Sequence, residues 1–382
     1  MTRLLLAGVS TRAAAESAAG AGFAVTTLDA FGDLDQHPDV RACSLPRDFG
    51  TRFTSPAAAR AARTIESDAV AYLSSFENHP RAIATLAAGR VLLGNPPSVV
   101  RQVRDPRLVA RALRRHGLAT PRVRCAGTRQ RDWLVKPLAS GGGRRVRSWR
   151  GGARVPRGCY LQQRVDGTPG SVVFVAASGR VVPLGVSRQI VGDAAFGAVG
   201  FQYCGNILAA AADAQFRNGA SLFGRARDVA GAIATEFDLV GVNGVDFIAR
   251  DGVPYAIEVN PRWSASMELV ERASGFSVFG SHAEACRSGV LPDVDLLERQ
   301  RGIDAVGKAI VFARHDVTIG ETRSWIAAGI RDVPHPGEHI ESGRPVCTVF
   351  ATGRDAAACH AELVRRANAV YSDLAAWERH VA

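Results

Sequence analysis

The chain has 382 residues, enough for two or three domains around a sizeable core. Its 47% hydrophobic and 22% charged residues are an ordinary globular balance, and no apolar run approaches the ~18 residues of a membrane span. A formal net charge of +11 points to anionic ligands, and because arginine is scattered along the chain, much of it reads as solvated surface. Seven cysteines, odd in number and without a CxxC pair, argue against a disulfide framework or zinc site. They fit a reducing, cytoplasmic location.

Residues 1–95 read as an open α/β unit with a parallel sheet. Strands are predicted at 3–7, 23–28, 69–73 and 90–93, with helices over 11–20 and 79–88. Leu4-Leu5-Leu6-Ala7 is too short for a signal h-region. The turn after the first strand holds Gly8 but no G-x-G-x-x-G, so a dinucleotide site through Asp29 is the weaker reading. Gly94-Asn95-Pro96-Pro97 marks a boundary. A helix is predicted over 98–118, a small β-rich unit over 120–165, and β-rich runs with one long helix, 220–236, over 166–290. The tail 300–382 predicts strands near 308–314 and 345–351 and a helix over 354–377.

Lysine stands only at 136 and 308; the other 45 of the 47 basic residues are arginine. A retained lysine is a compact point charge that arginine does not mimic. Lys136 ends an apolar strand, Trp133-Leu134-Val135-Lys136-Pro137, and Ser140-Gly141-Gly142-Gly143-Arg144 follows. Strand, inward lysine and glycine turn suit nucleotide phosphates.

A second motif runs from Gly244 to Arg262. Two apolar runs flank Asp251-Gly252, a hairpin signal. If the loop holds an odd number of residues, such as three, Asp246 and Glu258 fall opposite each other on one face, and Asn260 shares it. Two carboxylates and an amide oxygen suit Mg²⁺, with Mn²⁺ as the alternative ion. Arg262 follows, ready for a phosphate or carboxylate. Between the motifs, Cys159-Tyr160-Leu161-Gln162-Gln163-Arg164-Val165 predicts a strand linking the two units. Cys204 reads as a buried structural thiol.

This order of elements resembles the ATP-grasp superfamily, over about residues 96–290. The specific part is Val245-Asp246-Phe247 with Glu258-Val259-Asn260-Pro261-Arg262. The N-terminal unit looks like the family's preceding domain, and the tail looks like the small C-terminal lobe of biotin-carboxylase-like members. The implied architecture is α/β: a Rossmann-like domain 1–95, a two-lobed ATP-grasp domain 96–299 and an α+β lobe 300–382. The glycine-loop lobe would span 120–165 and the metal-binding lobe 166–290.

The resemblance implies that Lys136 holds the α/β-phosphates of ATP and that Ser140, Gly141, Gly142, Gly143 and Arg144 close over the β/γ-phosphates. Gln162, Gln163, Arg164 and Val165 would edge the adenine. Asp246, Glu258 and Asn260 would bind Mg²⁺, and Arg262 would steady the transferred phosphate. Glu268 is the candidate base on an incoming amine, and Arg188 and Asn206 are candidates for the acceptor side. The activity implied is ADP-forming carboxylate–amine ligation through an acyl phosphate, nearest to predicted ATP-dependent carboligases. Expected partners are an acidic small molecule and an amine acceptor, with a homodimer as the candidate assembly; neither membrane nor nucleic acid is expected. Two departures stand out. Glutamines replace the usual acid of the linking strand, and Arg104-Asp105-Pro106-Arg107 lacks the family's second nucleotide lysine, a role open to Arg107. Alternatives are a bicarbonate-using carboxylase, a non-catalytic nucleotide binder, and an RNA-binding protein using the Arg/Gly-rich 144–157 segment.

Overall fold

A computed structural model describes residues 1–152 and 154–381, without the side chains of 379–381. The N-terminal unit carries β1 (Arg3–Ala7), α1 (Arg12–Gly20), β2 (Ala24–Asp29), β3 (Arg41–Ser44), α2 (Leu45–Phe49), α3 (Ser55–Ala61), β4 (Ala69–Tyr72), α4 (Pro80–Ala87) and β5 (Val91–Leu92). All five strands are parallel, in the order β3-β2-β1-β4-β5. The apolar run Leu4-Leu5-Leu6-Ala7 is fully buried because both faces of a parallel sheet are covered. Strand order reverses between β1 and β4, and at such a switch point a crevice opens beyond the strand ends. Gly8 belongs to this turn for packing: a Cβ there would lie 2.6 Å from that of Leu73.

The helix expected over 98–118 is two, α5 (Pro97–Val103) and α6 (Pro106–Arg115). Asp105 caps α6 by accepting from the Arg107 N–H, and Pro106 opens it. The break turns Arg104 out of the helical run.

The small lobe is a four-stranded sheet of β6 (Val123–Arg124), β7 (Trp133–Pro137), β8 (Arg147–Ser148) and β9 (Cys159–Gln163), ordered β6-β9-β7-β8. Alternation along β7 sends Trp133 and Val135 into a core with Trp149 and Leu161, and leaves Leu134 and Lys136 for the other face.

The body is one antiparallel sheet. It contains β10 (Thr168–Ala177), β11 (Arg180–Val191), β12 (Tyr203–Leu208), β13 (Gly241–Arg250) and β14 (Val253–Asn260), with α7 (Gly219–Phe237) between β12 and β13. The helices α8 (Ser266–Ser274), α9 (Val278–Ser288) and α10 (Leu296–Arg299) follow, then β15 (Ala305–Phe312). The tail adds β16 (Val317–Thr318), α11 (Arg323–Ala327), β17 (His339–Ile340), β18 (Pro345–Gly353) and α12 (Ala356–Val381). The sheet order is β14-β13-β10-β11-β12-β15-β18. Strands β15 and β18 of the tail thus continue the central sheet. Val172, Phe174 and Ala176 pack with α7, while Val173, Val175 and Ala177 pack with α9 and the N-terminal sheet. Both faces of β10 are therefore apolar, as expected of a strand covered on both sides.

Candidate active site

The hairpin β13–β14 turns on two residues, Asp251 and Gly252, both in the left-handed region. The odd-numbered loop expected from sequence is not present. In the register set by Arg250 opposite Val253, Asp246 would face Ile257 and Glu258 would point away. A bulge intervenes: Phe247 pairs with Ala256, and Asp246 pairs with Glu258. The extra residue, Ile257, restores the parity that the loop does not supply. Its carbonyl accepts from Lys136 Nζ at 3.2 Å and from Gln162 Nε2 at 3.1 Å, joining the small lobe to the hairpin.

Asp246, Glu258 and Asn260 lie together. Asn260 Nδ2 donates to Asp246 Oδ2 at 3.0 Å, and Gln189 Nε2 donates to Asp246 Oδ1 at 2.9 Å. Burial, reinforced by the Glu258 charge, pushes the Asp246 carboxyl up to about 6. Burial would raise Glu258 as well, but Arg104 and Lys136 outweigh it and hold this carboxyl below its ordinary range.

Arg104, and not Arg107, is the arginine of this segment that reaches the hairpin. Its guanidinium donates to Glu258 Oε1 at 2.6 Å, Val259 O at 3.0 Å and Ser140 O at 3.3 Å. Arg107 pairs with its own cap, Asp105, at 2.7 Å and is exposed. The Asp105-Pro106 pair was the available signal, since it ends one helix and starts the next beside Arg104. Arg262 donates to Glu77 Oε1 at 2.5 Å and Asn260 Oδ1 at 3.2 Å. Glu77, from the N-terminal unit, was not legible in sequence.

A cavity of about 650 Å³ lies between the small lobe and the body sheet, at the switch point of the N-terminal sheet. Lys136, Ser140–Gly143 and Gln162–Val165 line it from the small lobe; Asp246, Glu258, Asn260 and Arg262 line it from the body. Arg144 is not among its walls and donates instead to Gly343 O at 3.2 Å. The glycine loop rests on the body: Gly142 O accepts from Tyr203 N at 3.0 Å, and a Cβ on Gly143 would overlap Phe201 O.

The cavity floor is a polar band of two in-register runs, offset by two residues on β11, where Ser171 faces Ser187. Glu258 faces Asp246, Asp246 faces Ser171, Gln189 faces Asn206, and Asn206 faces Lys308. Asn206 Nδ2 donates to Ser187 Oγ at 2.9 Å, and Asn206 accepts from the Tyr203 hydroxyl. Asn206 is therefore at the site, as expected. Arg188 is not: strand alternation sends it to the opposite face, beside Asp213 and Asp193, and Gln189 takes the cavity side.

Lys308, the second of the two lysines, stands at the far end of this band. Its Nζ lies 2.5 Å from Glu268 Oε2, and both side chains are 6% exposed. Arg12 of α1 donates to Glu268 Oε1 at 2.7 Å and to Asp332 Oδ1 at 2.9 Å. Burial alone would raise Glu268; Arg12 and Lys308 overcome it and hold the carboxyl far below the carboxylate range. This corrects the expectation of Glu268 as a base, because a carboxylate clamped by two cations holds protons too weakly for that work. The oxygens of Asp29, the weaker candidate for a dinucleotide site, accept from Thr11 N, Thr11 Oγ, Phe31 N and Gly32 N. Cys204 is a structural thiol, bonded to Ile190 O and pushed up to about 11 by burial.

Residues 103–266 match the family described as ATP-grasp domain, which covers the lysine strand, glycine loop, linking strand and hairpin. The match places an ATP-grasp domain at residues 103–266 of the 382. Two solved structures are similar along almost the whole chain. Biotin carboxylase from Campylobacter jejuni, described as a β-γ-ATP complex, is 15% identical with a TM-score of 0.68, over 94% of this chain and 89% of that one. L-amino acid ligase from Bacillus licheniformis is 16% identical with a TM-score of 0.68, over 96% and 97%. At such identities the likeness is one of fold. An uncharacterized protein of Methanocaldococcus jannaschii is 25% identical over 124 residues, 32% of this chain and 29% of that protein. The matched stretches span less than a third of the length of the curated relatives.

Proposed function

We propose that the chain is an ATP-dependent, ADP-forming ligase that joins a carboxylate to an amine. The observation carrying this reading is the pairing of Asp246 with Glu258 across a bulge, facing Lys136. Lys136 has no carboxylate within ion-pair reach among the described residues, only Gln162 Oε1 at 3.1 Å and the Ile257 carbonyl. A buried ammonium with neutral partners is completed by an anion, and the phosphates of ATP supply one. Residues 140–143 supply backbone N–H groups above them, and residues 162–165 edge the base.

The donor set fits a divalent cation. Two half-buried carboxylates and the Asn260 amide oxygen are hard oxygen ligands, and the upward push on Asp246 by Glu258 is the repulsion that a cation would remove. Asp246, Glu258 and Asn260 would hold Mg²⁺ there, and the ion would supply neutralisation of the charge developing on the phosphates. A substrate carboxylate oxygen then attacks the γ-phosphorus, and the bond to the β-γ bridging oxygen breaks to release ADP. The amine attacks the acyl phosphate carbon and phosphate leaves. The chain's part is positioning, charge placement and exclusion of water by the loop resting on Phe201 and Tyr203. Lys308, Asn206 and Gln189 mark the acceptor end; its charges are internally balanced, which suits an amine-bearing molecule.

The test is ATP-dependent phosphate release against a panel of carboxylates, amino acids and amines, with bicarbonate as a separate arm. The expected products are ADP and phosphate in equal amounts, with a hydroxamate when hydroxylamine replaces the amine. AMP and pyrophosphate would overturn the reaction type. Phosphate release driven by bicarbonate alone would favour carboxylation.

A further inference from the structure

The net charge of this chain is not scattered. Residues 120–165 contain eleven arginines and Lys136 against one acid, Asp132, a net of +11. That equals the formal net charge of the whole chain, so the remaining residues balance at 35 cations (47 less 12) and 35 anions (36 less 1). All eleven arginines of the small lobe are exposed. Two have carboxylate partners: Arg122 with Asp132 at 3.8 Å and Arg164 with Asp166 at 3.2 Å. The other nine have none among the described residues. Of the twelve cations, only Lys136 and Arg164 line the cavity. A bound nucleotide therefore leaves most of this charge facing outward.

The same lobe borders exposed apolar side chains. Leu138 is 47% exposed within it, and Val199 and Phe201 are 73% and 36% exposed on the turn against which Gly142 and Gly143 pack. Exposed apolar side chains on an arginine-rich surface are the ingredients of a protein interface. Single-stranded nucleic acid is recognised by stacking on exposed rings. Here Trp133 and Trp149 are buried in the lobe's own core, which leaves Phe201 of the adjoining turn as a single exposed ring where a run of bases needs several. A second copy of this chain offers no net counter-charge, because the residues outside its small lobe sum to zero. Charge complementarity leaves an acidic protein.

We propose that the outer face of the small lobe, together with the Val199–Phe201 turn, docks an acidic partner protein. Arginines such as Arg145, Arg147 and Arg150 would pair with its carboxylates, and Leu138 and Val199 would seat its apolar side chains. The docking is independent of the ligase reading and can be measured without turnover.

The experiment uses the full chain and fluorescence anisotropy at about 0.15 M salt, where long-range steering is screened. The probes are a short glutamate-rich peptide with interspersed leucines, a leucine-free peptide of equal charge, oligouridine of equal charge, and phosphatidylserine vesicles. The leucine-bearing peptide should bind about tenfold tighter than each other probe. Val199→Ser with Leu138→Ser should erase that advantage, and Arg145→Glu with Arg147→Glu and Arg150→Glu should weaken binding of both peptides by at least about tenfold. All these side chains are exposed, so unchanged thermal unfolding would certify the variants. Equal or tighter binding of oligouridine or vesicles would overturn the proposal in favour of nucleic acid or membrane. Equal binding of the two peptides, or retained affinity in the triple glutamate variant, would overturn it outright.

Discussion

The two lysines occupy opposite ends of one cavity and live in opposite electrostatic conditions. Lys136 is buried against a glutamine oxygen and a backbone carbonyl, and burial lowers its hold on a proton. Lys308 is equally buried but rests on Glu268, which Arg12 also holds. One end is short of an anion; the other has brought its own. The first arrangement is the one proposed above to take the phosphates of ATP. The second is a buried clamp that joins the N-terminal unit, α8 and the tail strands around the cavity.

The sharpest way to break that comparison is at Glu268. Glu268→Gln keeps the shape and removes the charge that neutralises Arg12 and Lys308. Breaking a buried pair on one side leaves uncompensated charge, and the expected loss is roughly 3–5 kcal/mol of stability by denaturant unfolding. The pH profile carries the same signature. The folded Glu268 carboxyl is held below its ordinary value of 4.5. Its stabilisation is thus present above about pH 4.5 and is lost as pH falls further, toward the folded value. Wild type should destabilise steeply in acid, and Glu268→Gln should show a shallower acid limb. An unchanged limb would mean that Glu268 is not the group whose protonation matters.

Glu258→Gln acts at the other end and should leave the fold intact. Removing one charge from the paired carboxylates should cut turnover by about 10²–10³, the scale on which placed electrostatic groups act. Far-UV dichroism and unfolding midpoints would separate this from misfolding. Retained turnover would sink the cation site.

Lys136→Ala removes the ammonium that waits for phosphate. ATP binding should weaken by roughly 1–3 kcal/mol, read by calorimetry, the scale of a lost hydrogen bond to a charged group. Lys308→Ala should leave ATP affinity nearly unchanged and lower stability instead. If the two variants weaken ATP alike, the two ends are not distinct.

Much of this site was legible in the chain. Lys136, Ser140–Gly143 and the Glu258–Arg262 run are local motifs whose residue types state their chemistry. What stayed hidden depends on contacts distant in sequence or on parity. The Ile257 bulge is invisible to a count of hairpin residues, so the correct facing of Asp246 and Glu258 came from a loop length that the structure does not have. Lys308 was conspicuous by rarity, yet only the pairing of β12 with β15 brings it to the cavity. Arg12 and Asp332, 320 residues apart, meet through the fold alone. Glu268 looked like a free base because its two cations come from other parts of the chain.

The smallest expected effect tests parity directly. Arg188 and Gln189 are neighbours on β11, and strand alternation puts them on opposite faces. Gln189 donates to Asp246 on the cavity floor, while Arg188 faces away, near Asp213 and Asp193. Gln189→Ala frees one oxygen of Asp246 and should lower turnover several-fold, on the scale of about 1 kcal/mol for one hydrogen bond. Arg188→Ala should change KM and kcat by less than about twofold, since its lost contacts lie behind the sheet. The reverse outcome, a large kinetic effect at Arg188 and none at Gln189, would require β11 to run one residue out of register and would move the acceptor end to the other face.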